Sequence, residues 1–479
     1  METLGRISDS LLGVRDESFL RPGTRSEMTA RTWRAAGCLA ALLAAVPISV
    51  ANAHTRLTRS SPAAGEVLRD PPAAIRLWFS GRAELSFTRV RLLSADGREV
   101  PLGVAARLDG RMSAFTIPIG ATLPGGTYTV VWQTAAADGH PVKGRYSFTM
   151  AGVPVVAMAD TTRVTPAEHV ARMPDEEGDE LGDYQVARWA EFIGILAVLG
   201  TVVFRFVVLG ALGRRHEPVA DLAERARQIG LGAVVLLLVT GVYRLVTEHR
   251  ALGHVHGLLD INALGALVSQ TMWGHGWLVG GVGTVVVLAG LVVARRSQVG
   301  WYLAAVGALA VAASPALTGH AAADAERPVL AILVDALHVL GGGAWLGTLL
   351  LVAMAGVPAA LRRVPGERGP AVASILRAFH PLALWCVPLV FVSGLVSAWL
   401  RLGSFGALTS SRYGTYLLVK VLIFACVALT GAYNWRRVLP TLGEESGART
   451  IRRTASLELA LGAVVLAVTA ALVVTTPPG

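Results

Sequence analysis

Residues 329–356, VLAILVDALHVLGGGAWLGTLLLVAMAG, decide the fold of this chain, because they form an apolar run of 28 residues that contains one acid and one histidine. About 20 apolar residues at 1.5 Å per residue span a bilayer as a helix, so this run predicts a transmembrane helix. The acid is Asp335 and the histidine is His338, and three residues of separation place them on one helical face. Ionisable side chains are costly inside a membrane, which makes this pair a candidate functional site.

The rest of the carboxyl-terminal half repeats the same pattern. The 479 residues are 53% hydrophobic and 16% charged, and globular domains have about 25% charged residues. The 52 glycines are typical of packed transmembrane helices. We therefore expect an all-α polytopic membrane domain over residues 186–479, with spans near 187–212, 229–247, 273–294, 299–317, 329–356, 378–400, 413–435 and 456–475.

The arginines between the spans predict their orientation. The net charge is +10, but Lys143 and Lys420 are the only lysines, and the arginines are spread through short loops. That distribution favours positive-inside topology over a nucleic-acid-binding surface. Fourteen arginines fall on one side of the spans, against four on the other, namely Arg250, Arg327, Arg401 and Arg412. The arginine-rich side is the predicted cytoplasm of a bacterium, so the amino-terminal domain and the carboxyl terminus are expected outside the inner membrane.

Residues 28–53 have the parts of a secretory signal peptide: a basic start, an apolar middle, and small residues at Ala51 and Ala53. Cleavage after Ala53 would make His54 the first residue of the mature chain. Residues 1–27 are polar and without pattern. We interpret them as an extension that precedes the true start at Met28.

Residues 54–150 alternate between apolar and polar side chains in short runs separated by turn residues, which predicts a small all-β sandwich or barrel of about seven strands. Asp138 and His140 lie on a predicted turn between the last two strong strands, and residues 151–185 form an acidic linker. A carboxylate and an imidazole on one turn, with the amine and imidazole of His54, form a nitrogen-rich set that suits Cu(II). The alternative is a turn-capping Asp138 and a solvated His140.

This segment resembles the periplasmic copper carrier CopC. The likeness lies in His54 behind a signal peptide, in SSPAAGEV and LWFSG, and in LPGGTYTVVWQTAAADGHPVKGRYSFTM. The resemblance implies a cupredoxin-like or Ig-like fold that binds Cu(II) through His54, Asp138 and His140. Two features depart from the family. Gly81 stands where some members carry a glutamate, which leaves open whether Glu84 substitutes, and the methionine-rich Cu(I) loop of other members is absent.

Further histidines lie toward the predicted outer side of the membrane. We interpret those beside the loop between the second and third spans as a candidate copper entry; they are His249, His254, His256 and His275. His320 ends the fourth span, and His338 lies roughly 15 Å below the outer surface. With Asp335, which could fix the tautomer of a metal-bound imidazole, these two form a candidate route. The competing structural interpretation is an ion pair between Asp335 and Lys420.

The fourth to seventh spans resemble the copper-resistance membrane protein CopD, and CopC–CopD fusions in particular. The matching stretches are SPALTGHAAA, LVDALHVLGGGAWLGTL, FHPLALWCVPLVFVSGLVSAWL and SRYGTYLLVKVLIFACVALTGAYNWRRVLP. The resemblance implies copper movement through the inner membrane, usually taken as uptake, with His320, Asp335 and His338 as candidate residues. The supporting positions that it implies are Trp345, Tyr413, Lys420 and Asn434. A ligand role stays open for Cys386, Cys426 and His380, and small core residues are the alternative for the cysteines.

The leading hypothesis is a copper transport protein, not an enzyme, that captures Cu(II) outside and passes copper inward, with Cu(I) as a candidate form in the membrane. Its expected partners are copper ions, the lipid bilayer and periplasmic copper chaperones, with no nucleic acid. No GxSxG, HExxH or phosphate-loop motif occurs in the sequence. One alternative is a membrane haem or redox protein, for which His338 has no obvious partner at equal depth. Another is a copper-sequestering module, for which eight spans exceed what an anchor requires.

Overall fold

The computed structural model of the chain describes residues 56–80, 83–136, 141–151, 180–251, 260–319, 321, 327–364, 366–402, 404–438 and 445–475. An amino-terminal β-sandwich is followed by a helical region with eight helices long and apolar enough to cross a membrane, which confirms the expected fold class. The predicted signal peptide lies outside the described residues. So do six of the predicted site residues, namely His54, Asp138, His140, His254, His256 and His320.

The sandwich consists of two sheets whose inward side chains form one apolar core. The first sheet has the order β1-β3-β7-β6 and the second β2-β9-β8-β4-β5. Residues of both sheets, such as Leu77, Phe115, Val130 and Phe148, are almost completely buried between them. The strands are β1 Leu57–Ser61, β2 Val67–Leu68, β3 Ala74–Phe79, β4 Ala83–Ser94, β5 Glu99–Val100, β6 Ala106–Arg107, β7 Ala114–Pro118, β8 Gly126–Ala136 and β9 Pro141–Met150.

The described residues thus form nine strands, where the alternation predicted about seven, because β2, β5 and β6 have two residues each and are too short to show an alternating pattern. The long strands β8 and β9 pair along their whole length, from Gly126 opposite Met150 to Ala135 opposite Pro141. Residues 137–140, which include Asp138 and His140, therefore join two strands whose ends are held by the sheet.

The helical region is a bundle with one short helix between its second and third spans. That helix, α3 Ile261–Gln270, begins at Asp260, whose carboxylate accepts hydrogen bonds from the amides of Asn262 and Ala263. The spans are α1 Gly182–Gly213, α2 Ala220–Ala251, α4 Met272–Val293, α5 Gln298–Leu317, α6 Val329–Leu361, α7 Arg368–Leu402, α8 Arg412–Arg437 and α9 Thr454–Val474.

Glycines allow the spans to touch backbone to backbone. A Cβ atom on Gly200 of α1 would lie 2.1 Å from the carbonyl carbon of Gly347 in α6, and a Cβ on Gly347 would lie 2.0 Å from the carbonyl oxygen of Leu196. Neither position has room for a methyl group. In α6 the contact coincides with a stretch of π-helix, Gly343–Gly347, which turns Trp345 into the bundle. The crossing of α1 and α6 therefore fixes the helix that carries Asp335 and His338.

We predict that Gly347→Ala destabilises the folded protein by at least the roughly 1–3 kcal/mol typical of overpacking, because backbone atoms of α1 cannot move aside independently. Thermal unfolding in detergent measures the change. Gly342→Ala is the matched control, since a Cβ at Gly342, in the same glycine run, meets nothing within 4 Å. Equal unfolding temperatures for the two variants would show that the close crossing does not determine stability.

Candidate functional site

Polar side chains from three spans meet in the half of the bundle that the arginine pattern places outward. Asp335 and His338 lie one turn apart on α6, and Ser393, Ser397 and Arg401 follow one face of α7 at intervals of four residues. α8 adds Tyr413, which hydrogen-bonds with Arg401, and Lys420, which interacts electrostatically with Asp335 and His338. We call this set the membrane cluster; it comprises Asp335, His338, Ser393, Ser397, Arg401, Tyr413 and Lys420.

Arg401 is the ion-pair partner of Asp335 in the membrane cluster. One carboxylate oxygen, Oδ2, accepts a hydrogen bond from Arg401 Nη2, and Oδ1 accepts from Ser397 Oγ at 2.7 Å. The competing interpretation of an Asp335–Lys420 pair therefore named the wrong cation. The pattern of apolar residues ended the sixth span at residue 400 and placed Arg401 in the outer loop. In the structure, helix α7 continues to Leu402, so Arg401 lies in its last turn and its long side chain reaches Asp335.

His338 is oriented by Ser393. The two residues are joined by a hydrogen bond of 3.1 Å between Nδ1 and Oγ, and Ser393 Oγ donates its proton to the carbonyl of Leu389 at 2.6 Å. Because the hydroxyl has one proton, Ser393 must accept from His338, which places the imidazole proton on Nδ1. Nε2 then carries the lone pair, which is the arrangement a metal-ligating histidine needs.

The ring of His338 also packs against α7 at a glycine. A Cβ on Gly394 would lie 3.1 Å from His338 Cε1, so a larger residue would press on the ring. His338 thus contacts Ser393, Gly394 and the backbone of Val390, all on α7, and among the described residues no second imidazole is recorded against it. This geometry gives no support to a haem held between two histidines.

The membrane cluster lacks the donor set of a resident metal site. Within the part of the chain that the structure describes, no three His, Cys, Asp or Glu side chains converge on a point that could hold a metal ion. His338 offers one imidazole nitrogen, while the carboxylate of Asp335 is occupied by Ser397 and Arg401. One donor beside two cationic side chains can contact a passing ion but does not provide a closed coordination sphere.

The other supporting positions lie at separate places. Trp345 is buried and meets the ring of Phe424 on α8 edge to face, with centroids 5.8 Å apart. Asn434, at the opposite end of α8 from Tyr413, donates a hydrogen bond from Nδ2 to Glu458 Oε1 on α9 at 2.5 Å. Neither residue contacts Asp335 or His338 through a recorded hydrogen bond. The sequence analysis did not identify Ser393, Ser397, Arg401 or Glu458. The four-residue spacing of the two serines and Arg401 does, however, indicate one polar face of a helix.

Two of the four predicted entry histidines are described, and they have different environments. His249 is buried at the end of α2, next to Glu248. His275 lies in the first turn of α4, where Nε2 is 3.0 Å from the carbonyl oxygen of Ser269. Because a carbonyl only accepts, that nitrogen carries a proton and is not available as a metal ligand in this conformation.

Charged side chains near His249 form a buried network that the sequence pattern did not indicate. Glu191 of α1 accepts a hydrogen bond from Arg188 Nη1 at 3.0 Å and another from Arg244 Nη1 of α2 at 2.5 Å. All five residues are at most 7% exposed. We call this set the outer charge network; it comprises Arg188, Glu191, Arg244, Glu248 and His249. Its two guanidinium groups make it a poor resting place for a metal cation, and they tie α1 to α2.

The sandwich contacts the helical region beside this network. Phe87 of β4 and Ala135 of β8 form one buried cluster with Ala263 and Leu267 of α3 and with Trp273 of α4. The indole of Trp273 in turn lies under the guanidinium of Arg244, 5.6 Å from its ring centroid. In the sequence, Ala135 precedes Asp138 by three residues.

Glu84, whose role the sequence left open, lies inside the sandwich. It is 2% exposed, stands opposite Ala135 in the sheet, and has its carboxylate 3.9 Å from Arg107 Nη2. A buried carboxylate paired with an arginine favours a structural role in the sheet over the position of the glutamate found in some CopC proteins.

Comparison with known proteins identifies three consecutive domains. Residues 57–151 match the model of the CopC domain, residues 182–328 that of the copper resistance protein D-like N-terminal domain, and residues 373–472 that of copper resistance protein D. Asp335 and His338 lie between the last two matches.

Individual relatives are similar to different portions of the chain. The copper transport protein CutJ of Bacillus subtilis is 25% identical over 434 residues, which cover 89% of this chain and 74% of CutJ. Protein YobA of Escherichia coli strain K12 is 33% identical over 122 residues, covering 26% of this chain and 97% of YobA. The crystal structure of CopC from Methylosinus trichosporium OB3b is 26% identical, covers 22% of this chain and all of that chain, and has a TM-score of 0.20.

The ion pair of the membrane cluster can be tested by removing each candidate cation. We predict that Arg401→Met lowers stability by up to about 3 kcal/mol, since it leaves the carboxylate of Asp335 unpaired, while Lys420→Met has a smaller effect. The estimate is at the low end for a buried pair because both side chains are 22% exposed. Thermal unfolding in detergent measures both variants.

The double variant Asp335→Asn with Arg401→Met provides the control, because it removes both charges. It should recover part of the stability that Arg401→Met loses. If Lys420→Met is the more destabilising single change, the assignment of Arg401 as the partner is wrong.

Proposed function

This chain belongs to the family of copper resistance and copper transport proteins in which a CopC domain precedes a CopD-type membrane domain, and from that premise we propose that it binds Cu(II) outside the inner membrane and passes copper through its spans toward the cytoplasm. The observation that carries the proposal is His338. Its imidazole lies within a predicted span, its proton is held on Nδ1 by Ser393, and Nε2 is left with a lone pair.

Capture of copper is assigned to His54, Asp138 and His140. The last two belong to the connection between β8 and β9, whose flanking residues Ala135 and Pro141 are paired in the sheet. Asp138 and His140 supply a carboxylate and an imidazole two residues apart in the sequence. Together with the amine and imidazole of His54 they form a donor set that favours Cu(II) over softer ions. Copper is the cargo of this site and not a permanent part of the protein.

Delivery is supported by the contact between the sandwich and α3. A domain on a flexible linker raises the local concentration of its cargo, whereas a docked domain also fixes where the cargo is released. Phe87 and Ala135 pack against α3 and α4, and Trp273 of that contact lies under Arg244 of the outer charge network. Ala135 precedes Asp138 by three residues in the sequence, which supports release of copper at this end of the bundle. Copper is therefore released next to the outer ends of the spans.

Passage is assigned to the membrane cluster, with Cu(I) as the form that moves, and the captured Cu(II) takes up the one electron that this requires from an external reductant before it enters the spans. The cluster has two cationic side chains, Arg401 and Lys420, against one carboxylate, so a cation at His338 is repelled as well as ligated. Coulomb repulsion scales with the charge of the ion, and a monovalent ion experiences half the repulsion of a divalent one. Weak binding of this kind suits a position that an ion must leave as readily as it enters.

We predict that His338→Ala reduces copper accumulation by cells expressing the protein at least tenfold, because it removes the imidazole donor within the span. The measurement is cellular copper at matched expression and matched copper in the medium. His216→Asn is the control: His216 is exposed in a loop and has φ +62°, a conformation that asparagine tolerates. Accumulation equal to wild type in His338→Ala would remove this residue from the route and with it the proposed passage.

The docked sandwich gives a second prediction. Leu267→Ala removes a fully buried side chain from the contact without changing the sandwich, so copper accumulation should fall severalfold while the Cu(II) EPR spectrum of the purified protein stays unchanged. Ile261→Ala, a change on the same helix at a residue 77% exposed, should leave both measurements unaltered. Undiminished accumulation in Leu267→Ala would show that docking is not needed for delivery.

A further inference from the structure

Glu458 is a buried carboxyl group within α9 that the proposed copper route does not use. The residue is 5% exposed and lies four residues into the span, at the end that the arginine pattern places toward the cytoplasm. Its Oε1 accepts the hydrogen bond of 2.5 Å from Asn434 Nδ2, and a Cβ on Gly431 would lie 4.0 Å from the same oxygen. The carboxyl group thus packs on the face of α8 formed by Gly431 and Asn434.

Within the described part of the chain, Glu458 has no cationic partner of the kind that Glu191 and Asp335 have. Glu191 is paired with Arg188 and Arg244, and Asp335 with Arg401. Among the described residues, no Lys, Arg or His forms an ion pair with Glu458, and its recorded polar contact is with Asn434. A bare carboxylate in a membrane is strongly disfavoured, so this side chain needs either a proton or a cation.

The other titratable groups on the helices packed against α9 have partners or positions away from Glu458. On the inner half of α8 these are Cys426, two turns from Asn434, and the exposed Tyr433, Arg436 and Arg437. The outer half of α8 carries Arg412, Tyr413, Tyr416 and Lys420. On α7, His380 is stacked on Trp435, Arg377 is exposed, Arg368 donates to the carbonyl of Arg363, Cys386 is buried in an apolar cluster, and Arg401 is paired with Asp335. Arg205 of α1 donates to Gln298. Arg188 and Glu191 lie at the other end of α1, in the outer charge network. The part of α6 that contacts α9 contains no charged residue between Thr348 and Leu361.

A second observation points to a proton as the ligand. The carbonyl oxygen of the Asn434 side chain, Oδ1, is buried and has no hydrogen-bond partner. A buried acceptor without a donor costs about 1–3 kcal/mol. An ionised carboxylate cannot supply that donor, but a carboxylic acid can, since Oε2–H donates while Oε1 accepts from Nδ2. Protonation of Glu458 thus supplies the kind of donor that Asn434 Oδ1 lacks.

We propose that Glu458 and Asn434 form a proton-binding site at the inner ends of α8 and α9, which takes up one proton from water on that side and releases it again, and that this exchange is coupled to copper passage. The step is the conversion of a carboxylate and a proton into a carboxylic acid, with no electron transferred. The proton-binding part stands independently, while the coupling rests on the proposed function.

Infrared difference spectroscopy of the purified full chain in lipid nanodiscs tests the binding site, between about pH 6, where exposed carboxylates are already ionised, and alkaline pH. Wild-type protein should show the C=O stretching band of a protonated carboxylic acid that disappears as the pH rises. Glu458→Gln should lack this band although it can still accept the hydrogen bond from Asn434. Glu367→Gln, a change at an exposed carboxylate, should retain it. An unchanged band in Glu458→Gln overturns the proposal.

Copper uptake into proteoliposomes as a function of internal pH tests the coupling. One obligatory proton gives a rate that changes up to tenfold per pH unit, and Glu458→Gln should flatten this dependence to less than twofold. If wild-type protein moves no copper, the proposed function fails while the infrared result still decides the binding site. If wild-type protein moves copper with the same pH profile as Glu458→Gln, the coupling is overturned and the transport function stands.

Discussion

The backbone contact between Gly200 of α1 and Gly347 of α6 is the constraint on which the arrangement of the membrane domain depends. Lipid supplies no hydrophobic force between helices, so their association relies on close packing, and small residues permit the closest packing. The crossing fixes α6 against α1, and the outer charge network ties α1 to α2 through Glu191 and Arg244. Asp335 and His338 of α6 then face α7, where Arg401 pairs with Asp335 and Ser393 hydrogen-bonds with His338.

The buried ionisable side chains discussed here have two kinds of partner, either an arginine or a neutral hydrogen-bonding residue. Glu191 and Asp335 are neutralised by arginines, and such pairs hold helices together while offering little to a passing ion. His338 and Glu458 are different, because each is bound by a neutral partner, Ser393 in one case and Asn434 in the other. A neutral hydrogen-bond partner orients a titratable or ligating group without fixing its charge. The two groups to which we assign chemistry, His338 and Glu458, are thus ones whose partner permits a change of ligand or proton.

The fold was predictable from the sequence because it depends on hydrophobic patterns that extend over many residues, and not on individual side-chain contacts. Runs of about 20 apolar residues indicated the eight spans, and strict alternation indicated the sandwich. The membrane cluster was predictable only in part. Asp335 and His338 stand out in an apolar run, but Arg401 does not, since a basic residue at a helix end looks like a loop residue until the length of its side chain is considered. Glu458 was missed for a similar reason, as it lies near the arginine-rich loop before the last span.

The contact of the sandwich with α3 and α4 could not be derived from patterning, because Phe87 and Ala135 look like ordinary strand residues and Trp273 like an ordinary span residue. This contact connects the sandwich to the ion pairs of the outer bundle through a short series of residues. Asp138, to which we assign copper capture, follows Ala135 by three residues in the sequence, the contact reaches Trp273, and Trp273 lies under Arg244 of the outer charge network. Domain docking and the ion pairs of the outer bundle therefore share one side chain, so a movement of the sandwich that shifts this indole must also shift the guanidinium that joins α1 to α2.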